Sequence, residues 1–325
     1  MVPAADLSER VARQVDLIGL RGGFGTVLEA LPDELGSELK IITPDTLNSG
    51  GLARLYAERP NQFLNIGISE QAAVLIGGGL YPEWRAVVAT FAPFLVLRAC
   101  EQIKLVSSYM KLPLIYVGYA GGIDLIDLGH THCSIEDIGL MQSLGITCYT
   151  PSTARGLWYS LVRAASTNEP SYIRLSSNGK IPSDLSTVPI DTKIGGSLIP
   201  CCSSDGGRFK TKTILLSYGS LSIEAYRAAQ DLGLDFLCIS RIDKQNIKNL
   251  LMFMQSRGYK AVYVVEDHVR QTGLCSALAQ QTNELNIVSL GLLDGAEISG
   301  RYGDVIQALG LDAKALSAEI IRRGS

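Results

Sequence analysis

Short aliphatic or β-branched runs recur along this chain, each followed by a stretch with helical spacing. The series breaks off once and then restarts. In the first series, residues 39–43, 63–65, 86–89, 114–118 and 172–175 are expected to be strands, and 69–80, 93–110 and 153–167 helices. Strands alternating with helices predict parallel sheets with helices on their faces. Residues 176–212 then turn rich in Ser, Gly, Pro and Asp and predict a surface linker. The second series places strands at 213–217, 236–239, 261–265 and 287–290, and helices at 221–232, 244–255 and 273–281. The expected fold class is α/β, with two successive parallel or mixed-sheet domains over 1–185 and 212–325 joined by a linker over 186–211. At roughly 100–200 residues per domain, 325 residues accommodate two.

Composition removes several function classes. Lys and Arg total 29 against 32 Asp and Glu, which argues against a nucleic-acid or anionic-membrane surface. The longest apolar stretch, 86–97, is too short to span a bilayer and contains Pro93. Charges at the start of the chain occupy the place of a signal peptide's apolar core. The seven cysteines are scattered, with Cys201-Cys202 vicinal and no CxxC pair. A reduced, cytoplasmic protein without disulfides or a zinc site is expected. No dinucleotide fingerprint, phosphate loop or nucleophile elbow occurs. The cluster Gly22-Gly23-Phe24-Gly25 has no strand leading into it and reads as a turn or helix entrance. Gly121-Gly122 reads either as a tight turn or as a place where a ligand meets the backbone.

Three segments carry chemistry. Asn65-Ile66-Gly67-Ile68-Ser69-Glu70-Gln71 lies where a strand turns into a helix. Ser69 suits an N-cap and Glu70 the first turn, where the helix dipole favours a carboxylate. The same position also puts Glu70 at the carboxyl end of a parallel strand, where ligand sites open. Downstream, Phe91 and Phe94 suit either the core or stacking on a flat ligand. In Gly129-His130-Thr131-His132-Cys133-Ser134-Ile135-Glu136-Asp137, Ser134 is expected to open a helix. His130 and His132 need a third convergent ligand before they make a metal site.

In this order the segments resemble the transketolase family of thiamin-diphosphate enzymes. The likeness runs through Gly67-Ile68-Ser69-Glu70-Gln71, Thr90-Phe91 to Phe94, Arg98-Ala99-Cys100-Glu101-Gln102-Ile103 and Thr131-His132-Cys133-Ser134-Ile135-Glu136-Asp137. It continues through Pro170-Ser171-Tyr172-Ile173-Arg174-Leu175, Glu266-Asp267-His268 and Gly273-Leu274. It covers the family's pyrimidine-binding and C-terminal domains. The resemblance implies that Glu70 hydrogen-bonds the cofactor's pyrimidine from a largely dry pocket, that Phe91 and Phe94 wall the ring, and that His132 faces the reacting carbonyl. It puts Arg21 near a substrate-phosphate arginine, and Asp45 and Ser49 on an active-site loop, Asp45 towards the cofactor. A turn or cap role competes for the last two. His268 is expected to be structural or interfacial.

Departures from the family pattern bear on substrate. Leu128 stands where the family has an aspartate that binds a sugar hydroxyl, and leucine accepts no hydrogen bond. Ser177 stands where the family has a phosphate-binding arginine, Leu97 where many members have an aromatic, and His130 replaces a small residue or proline. An unphosphorylated acceptor, or one carried on a larger partner such as a carrier protein, is therefore expected. The family's diphosphate domain, with its G-D-G motif and Mg²⁺-ligating Asn, has no counterpart; Gly303-Asp304-Val305 is the nearest string. The resemblance thus implies one chain of a split transketolase. Thiamin diphosphate would be shared with a second chain that holds Mg²⁺, in an α2β2 heterotetramer whose copies also self-associate. The β chain of a 2-oxo-acid dehydrogenase or synthase, and a non-catalytic scaffold paralogue, are the alternatives.

Overall fold

The computed structural model describes residues 6–177, 181–201, 209, 211–292 and 299–324. Twelve strands are found among them: β1 (Leu39–Thr43), β2 (Phe63–Asn65), β3 (Arg85–Phe91), β4 (Ile115–Tyr119), β5 (Thr147–Tyr149), β6 (Ser171–Leu175), β7 (Gly196–Ile199), β8 (Thr213–Ser217), β9 (Asp235–Ile239), β10 (Arg241–Ile242), β11 (Ala261–Val269) and β12 (Asn286–Leu292). They form a seven-stranded sheet of order β10-β5-β6-β4-β3-β1-β2 and a five-stranded sheet of order β12-β11-β8-β9-β7. Within each sheet the pairs are parallel except at one edge. There β10 runs antiparallel to β5, and β7 antiparallel to β9.

The expected α/β class and its two successive sheets are found. The runs at 39–43, 63–65 and 213–217 coincide with β1, β2 and β8. Both faces of the first sheet are covered, which is why its strands read as continuous apolar runs. Along β3, Ala86 and Val88 face one core while Val87 and Ala89 face the other.

Four expectations need correction. The stretch expected to wander as a linker carries β7, which caps the second sheet, and a turn of helix at Ser183–Ser186. The 93–110 region is not one regular helix. Two wide π-type turns, Phe94–Arg98 and Lys104–Tyr109, flank a short α-turn at Cys100–Ile103. Ser134 does not open the following helix, which spans Asp137–Ser143; its backbone pairs with Gly122 instead. The Gly22–Gly25 cluster lies inside the helix Leu20–Glu29. Its glycines admit a neighbouring loop: a Cβ on Gly25 would stand 2.3 Å from the carbonyl oxygen of Gly51, and one on Gly51 would stand 2.0 Å from that of Gly22. Because both obstacles are backbone, the Gly25→Ala variant is expected to lose about 1–3 kcal/mol in a urea melt, despite alanine's better helix propensity.

The two halves are joined through buried polar groups. Arg174, on β6, pairs with Asp137 at 2.9 Å and with Asp267, on β11, at 2.8 Å. His268 is fully buried, and its Nε2 accepts the Gly139 N–H at 3.3 Å while Nδ1 lies 3.0 Å from the Val269 carbonyl. Its interfacial role therefore agrees with expectation. No helix among the described residues is long and apolar enough to cross a membrane.

Candidate functional site

The carboxyl ends of β1, β2, β3, β4 and β6 open on one edge of the first sheet, where side chains of different connections converge. Glu70 begins the helix Glu70–Gly79, directly after β2. Ser69 occupies the N-cap position, but its side chain makes no capping bond. Glu70 is only 4% exposed. Its Oε2 accepts a hydrogen bond from Arg98 Nη1 at 2.9 Å. The Arg98 guanidinium also lies 4.4 Å from the centre of the Phe94 ring. Phe94 stands edge-on to Phe91 at 6.0 Å and to His132 at 5.3 Å, and Phe91 meets Tyr119 at 6.0 Å.

The structure thus brings Glu70, Phe91, Phe94 and His132 into one contiguous group. Arg98 is its unforeseen member, although it opens the Arg98–Ile103 motif. Glu70 itself is buried, and its carboxylate is paired with a half-exposed cation, Arg98. Such a site offers a buried carboxylate, a flat apolar wall and an imidazole next to one another.

Asp45 is exposed and sits a strand away from Glu70. Its φ of 62° is left-handed. It holds that turn by donating its N–H to Asn65 Oδ1 at 3.0 Å and accepting from Asn65 Nδ2 at 3.3 Å. Asn65 Oδ1 also accepts the Gly67 N–H at 3.3 Å, so Asn65 ties the ends of β1 and β2 to the turn before Glu70. Arg21 and Ser49 are half-buried. Arg21 is close enough for its charge to oppose the rise that burial imposes on the Tyr119 phenol. Ser49 precedes Gly50, where a Cβ would stand 2.1 Å from the Tyr119 hydroxyl oxygen.

Leu128, His130 and His132 lie on the loop after β4, in two tight turns at Ile126–Leu128 and His130–His132. Leu128 is 56% exposed, His130 is exposed and His132 is half-buried, with Thr131 Oγ1 3.1 Å from its Nδ1. Among the described residues no three His, Cys, Asp or Glu side chains gather as metal ligands. Gly122, read as a turn or a ligand approach, meets protein instead. Its φ is +70°, and a Cβ there would stand 1.9 Å from Asp267 Oδ2. Ser177 donates its N–H to Asp124 at the end of β6; the following Asn178 lies outside the described residues.

Asp124 is a buried group that sequence reasoning missed. Burial pushes its carboxyl up to about 7, helped by Asp267 and opposed by Ser220, the Ser177 N–H and Arg174. Tyr302 also faces it. A carboxyl raised in the fold holds its proton more tightly native than unfolded, so its contribution to stability falls as pH climbs from the ordinary carboxylate range through about 7. Asp124→Asn removes that loss. The variant is expected to melt above the parent at about pH 8 and to keep only a smaller part of that advantage at about pH 5, read from thermal melts at both.

Residues 18–179 match the family model described as the transketolase pyrimidine-binding domain. A 1-deoxy-D-xylulose-5-phosphate synthase from Histophilus somni is 26% identical over 293 residues, covering 86% of this chain but 44% of the synthase. The chain therefore spans less than half the length of that relative. One subunit of an apulose-4-phosphate transketolase from Actinobacillus succinogenes is 27% identical over 291 residues, covering 86% of this chain and 91% of its own length. A solved split-gene transketolase in the form of an inactive β4 tetramer shares the fold, with TM-score 0.74, 23% identity, and coverage of 95% of this chain and 98% of that one.

Proposed function

We propose that this chain, which belongs to the transketolase family as its C-terminal half, is the small subunit of a split, thiamin-diphosphate-dependent transketolase. The reaction is transfer of a two-carbon ketol unit from a ketose or ketose-phosphate donor to an aldehyde acceptor. The observation that carries this reading is the buried Glu70 carboxylate set against Phe94, Phe91 and His132.

Those residues fit the pyrimidine end of the cofactor: a carboxylate for a ring nitrogen and an aromatic wall for its face. They do not supply the other end. Gly303-Asp304 lies within the helix Tyr302–Ala308, and no metal-ligand cluster occurs among the described residues. On this reading the diphosphate and Mg²⁺ belong to a partner chain carrying the G-D-G and Asn motif, and the assembly is an α2β2 heterotetramer in the cytoplasm. Near-complete coverage of the apulose-4-phosphate transketolase subunit from Actinobacillus succinogenes supports the split arrangement. Ile68, Leu75, Leu97, Leu105 and Tyr109, on segments around Glu70, are exposed apolar side chains suited to a protein interface.

When bound, thiamin diphosphate supplies a nucleophilic carbon for breaking and remaking carbon–carbon bonds. Glu70 would hold the pyrimidine ring nitrogen and carry the proton exchanged there. Phe91 and Phe94 hold the ring and exclude water. His132 donates towards the oxygen that gains charge on the substrate. Leu128 and Ser177 leave the acceptor without the carboxylate and guanidinium of an ordinary sugar-phosphate site, so the acceptor is assigned as non-standard: unphosphorylated, or carried on a larger partner.

A pyruvate-consuming synthase is the second reading, favoured by the Histophilus somni relative. The test is calorimetry with thiamin diphosphate and Mg²⁺ on this chain alone and with the neighbouring gene product. Binding only by the pair, followed by consumption of a ketose phosphate, is the expected result. Binding by this chain alone contradicts the split site. Pyruvate consumption selects the synthase, and no binding by the pair leaves the scaffold paralogue.

A further inference from the structure

The loop that carries His132 is closed at its neck and held from both halves of the chain. At the neck, Gly122 and Ser134 exchange backbone hydrogen bonds of 2.9 and 2.8 Å. The C-terminal half grips each side of that neck: Asp267 Oδ2 accepts the Ile123 N–H at 3.4 Å, and the Val269 N–H donates to the Ile135 carbonyl at 3.0 Å. Inside the neck, Asp124 is 2% exposed. One of its carboxylate oxygens takes the Ser220 hydroxyl, from the turn after β8, and the other takes the Ser177 N–H at the end of β6. A single short side chain thereby ties the loop to the second sheet's domain and to the floor of the first.

We propose that Asp124 is a positioning residue, through which the C-terminal half sets where His132 stands. Among the described residues the C-terminal half contributes no side chain to the group around Glu70, yet the place of the imidazole depends on it. A loop free to shift by an ångström would misplace a donor whose use rests on its distance from the reacting oxygen. Burial raises the cost of leaving either bond of Asp124 unmade, so the tie is strong for its size. The proposal rests on the reading of His132 as the histidine that faces substrate. Its test therefore needs neither cofactor nor turnover, and the tie and that reading fail separately.

The chain contains three histidines, His130, His132 and His268. Histidine-selective isotope labelling of the full chain gives one set of ring signals for each, assigned with His130→Gln and His132→Gln. In Asp124→Ala the signals of His130 and His132 are expected to shift and broaden at constant pH. That of His268, buried in the interface, is expected to stay and report an intact fold. Asp124→Asn keeps all three in place, because its amide accepts from Ser177 and donates to Ser220. Ser220→Ala, which removes one hydroxyl, moves the same two signals in the same direction by less, and serves if Asp124→Ala does not fold. Unmoved His130 and His132 signals in either folded variant, or all three moving together, would overturn the proposal.

Discussion

Reconstituted with its diphosphate-binding partner, the Glu70→Gln variant is expected to lose about 10²–10⁴-fold in turnover while melting close to the parent temperature. The kinetic loss follows from charge. Glutamine occupies the same volume and still accepts a hydrogen bond from Arg98, but it cannot exchange a proton with a ring nitrogen. The small structural effect follows from exposure. The Arg98 side chain is 48% exposed, so water replaces most of what the carboxylate gave it; the pair is worth on the order of 0–1 kcal/mol. Steady-state rates should show kcat falling with the donor KM little changed, since the lost interaction belongs to the transition state. Calorimetry on the same complex should still detect cofactor binding, because Phe91, Phe94 and the partner's contacts remain. Full turnover by Glu70→Gln would remove Glu70 from the mechanism and with it the main support for the proposed activity.

What was legible in the sequence was what local pattern encodes. Parallel strands buried on both faces announce themselves as unbroken apolar runs, and β1 and β8 fall where those runs do. Glu70 was legible because a strand, a glycine-containing turn and a helix start surround it in sequence. Two strands were not: β10 has two residues and β5 three, and neither carries an apolar run that marks it. The Glu70–Arg98 pair was hidden for another reason. Its members are 28 residues apart, and the wide turn at Phe94–Arg98 that sets the guanidinium over the Phe94 ring has no compositional mark. Asp124 reads as an ordinary loop aspartate. Its meaning comes from Ser177 and Ser220, which lie 53 and 96 residues away and approach only once both sheets have formed.

Breaking the ionic joint between the halves should be the most damaging single change. Arg174→Met is expected to cost about 3–5 kcal/mol, read as a lower urea midpoint. Arg174 is 3% exposed, and its partners Asp137 and Asp267 are each fully buried. Set against a well-packed apolar replacement of all three groups, such a triad is worth little, because desolvation offsets its attraction. Removing the cation alone is different: it leaves two carboxylates in a dry interface. The Tyr172 hydroxyl still donates to Asp137 at 2.7 Å, and the Ile123 N–H to Asp267, but neither brings a positive charge. Buried carboxyls without a counter-charge relieve the penalty by taking up protons. The deficit should therefore be larger at about pH 8 than at about pH 5, the native variant then binding more protons than its unfolded chain. Adding Asp137→Asn and Asp267→Asn to Arg174→Met should recover much of the loss and flatten its pH dependence. Because Asp137 and Asp267 belong to different halves, the single variant is also expected to unfold in two steps, with the second sheet's domain parting from the first. A single sharp transition at the parent midpoint would mean that β10 and the apolar interface hold the halves together without Arg174.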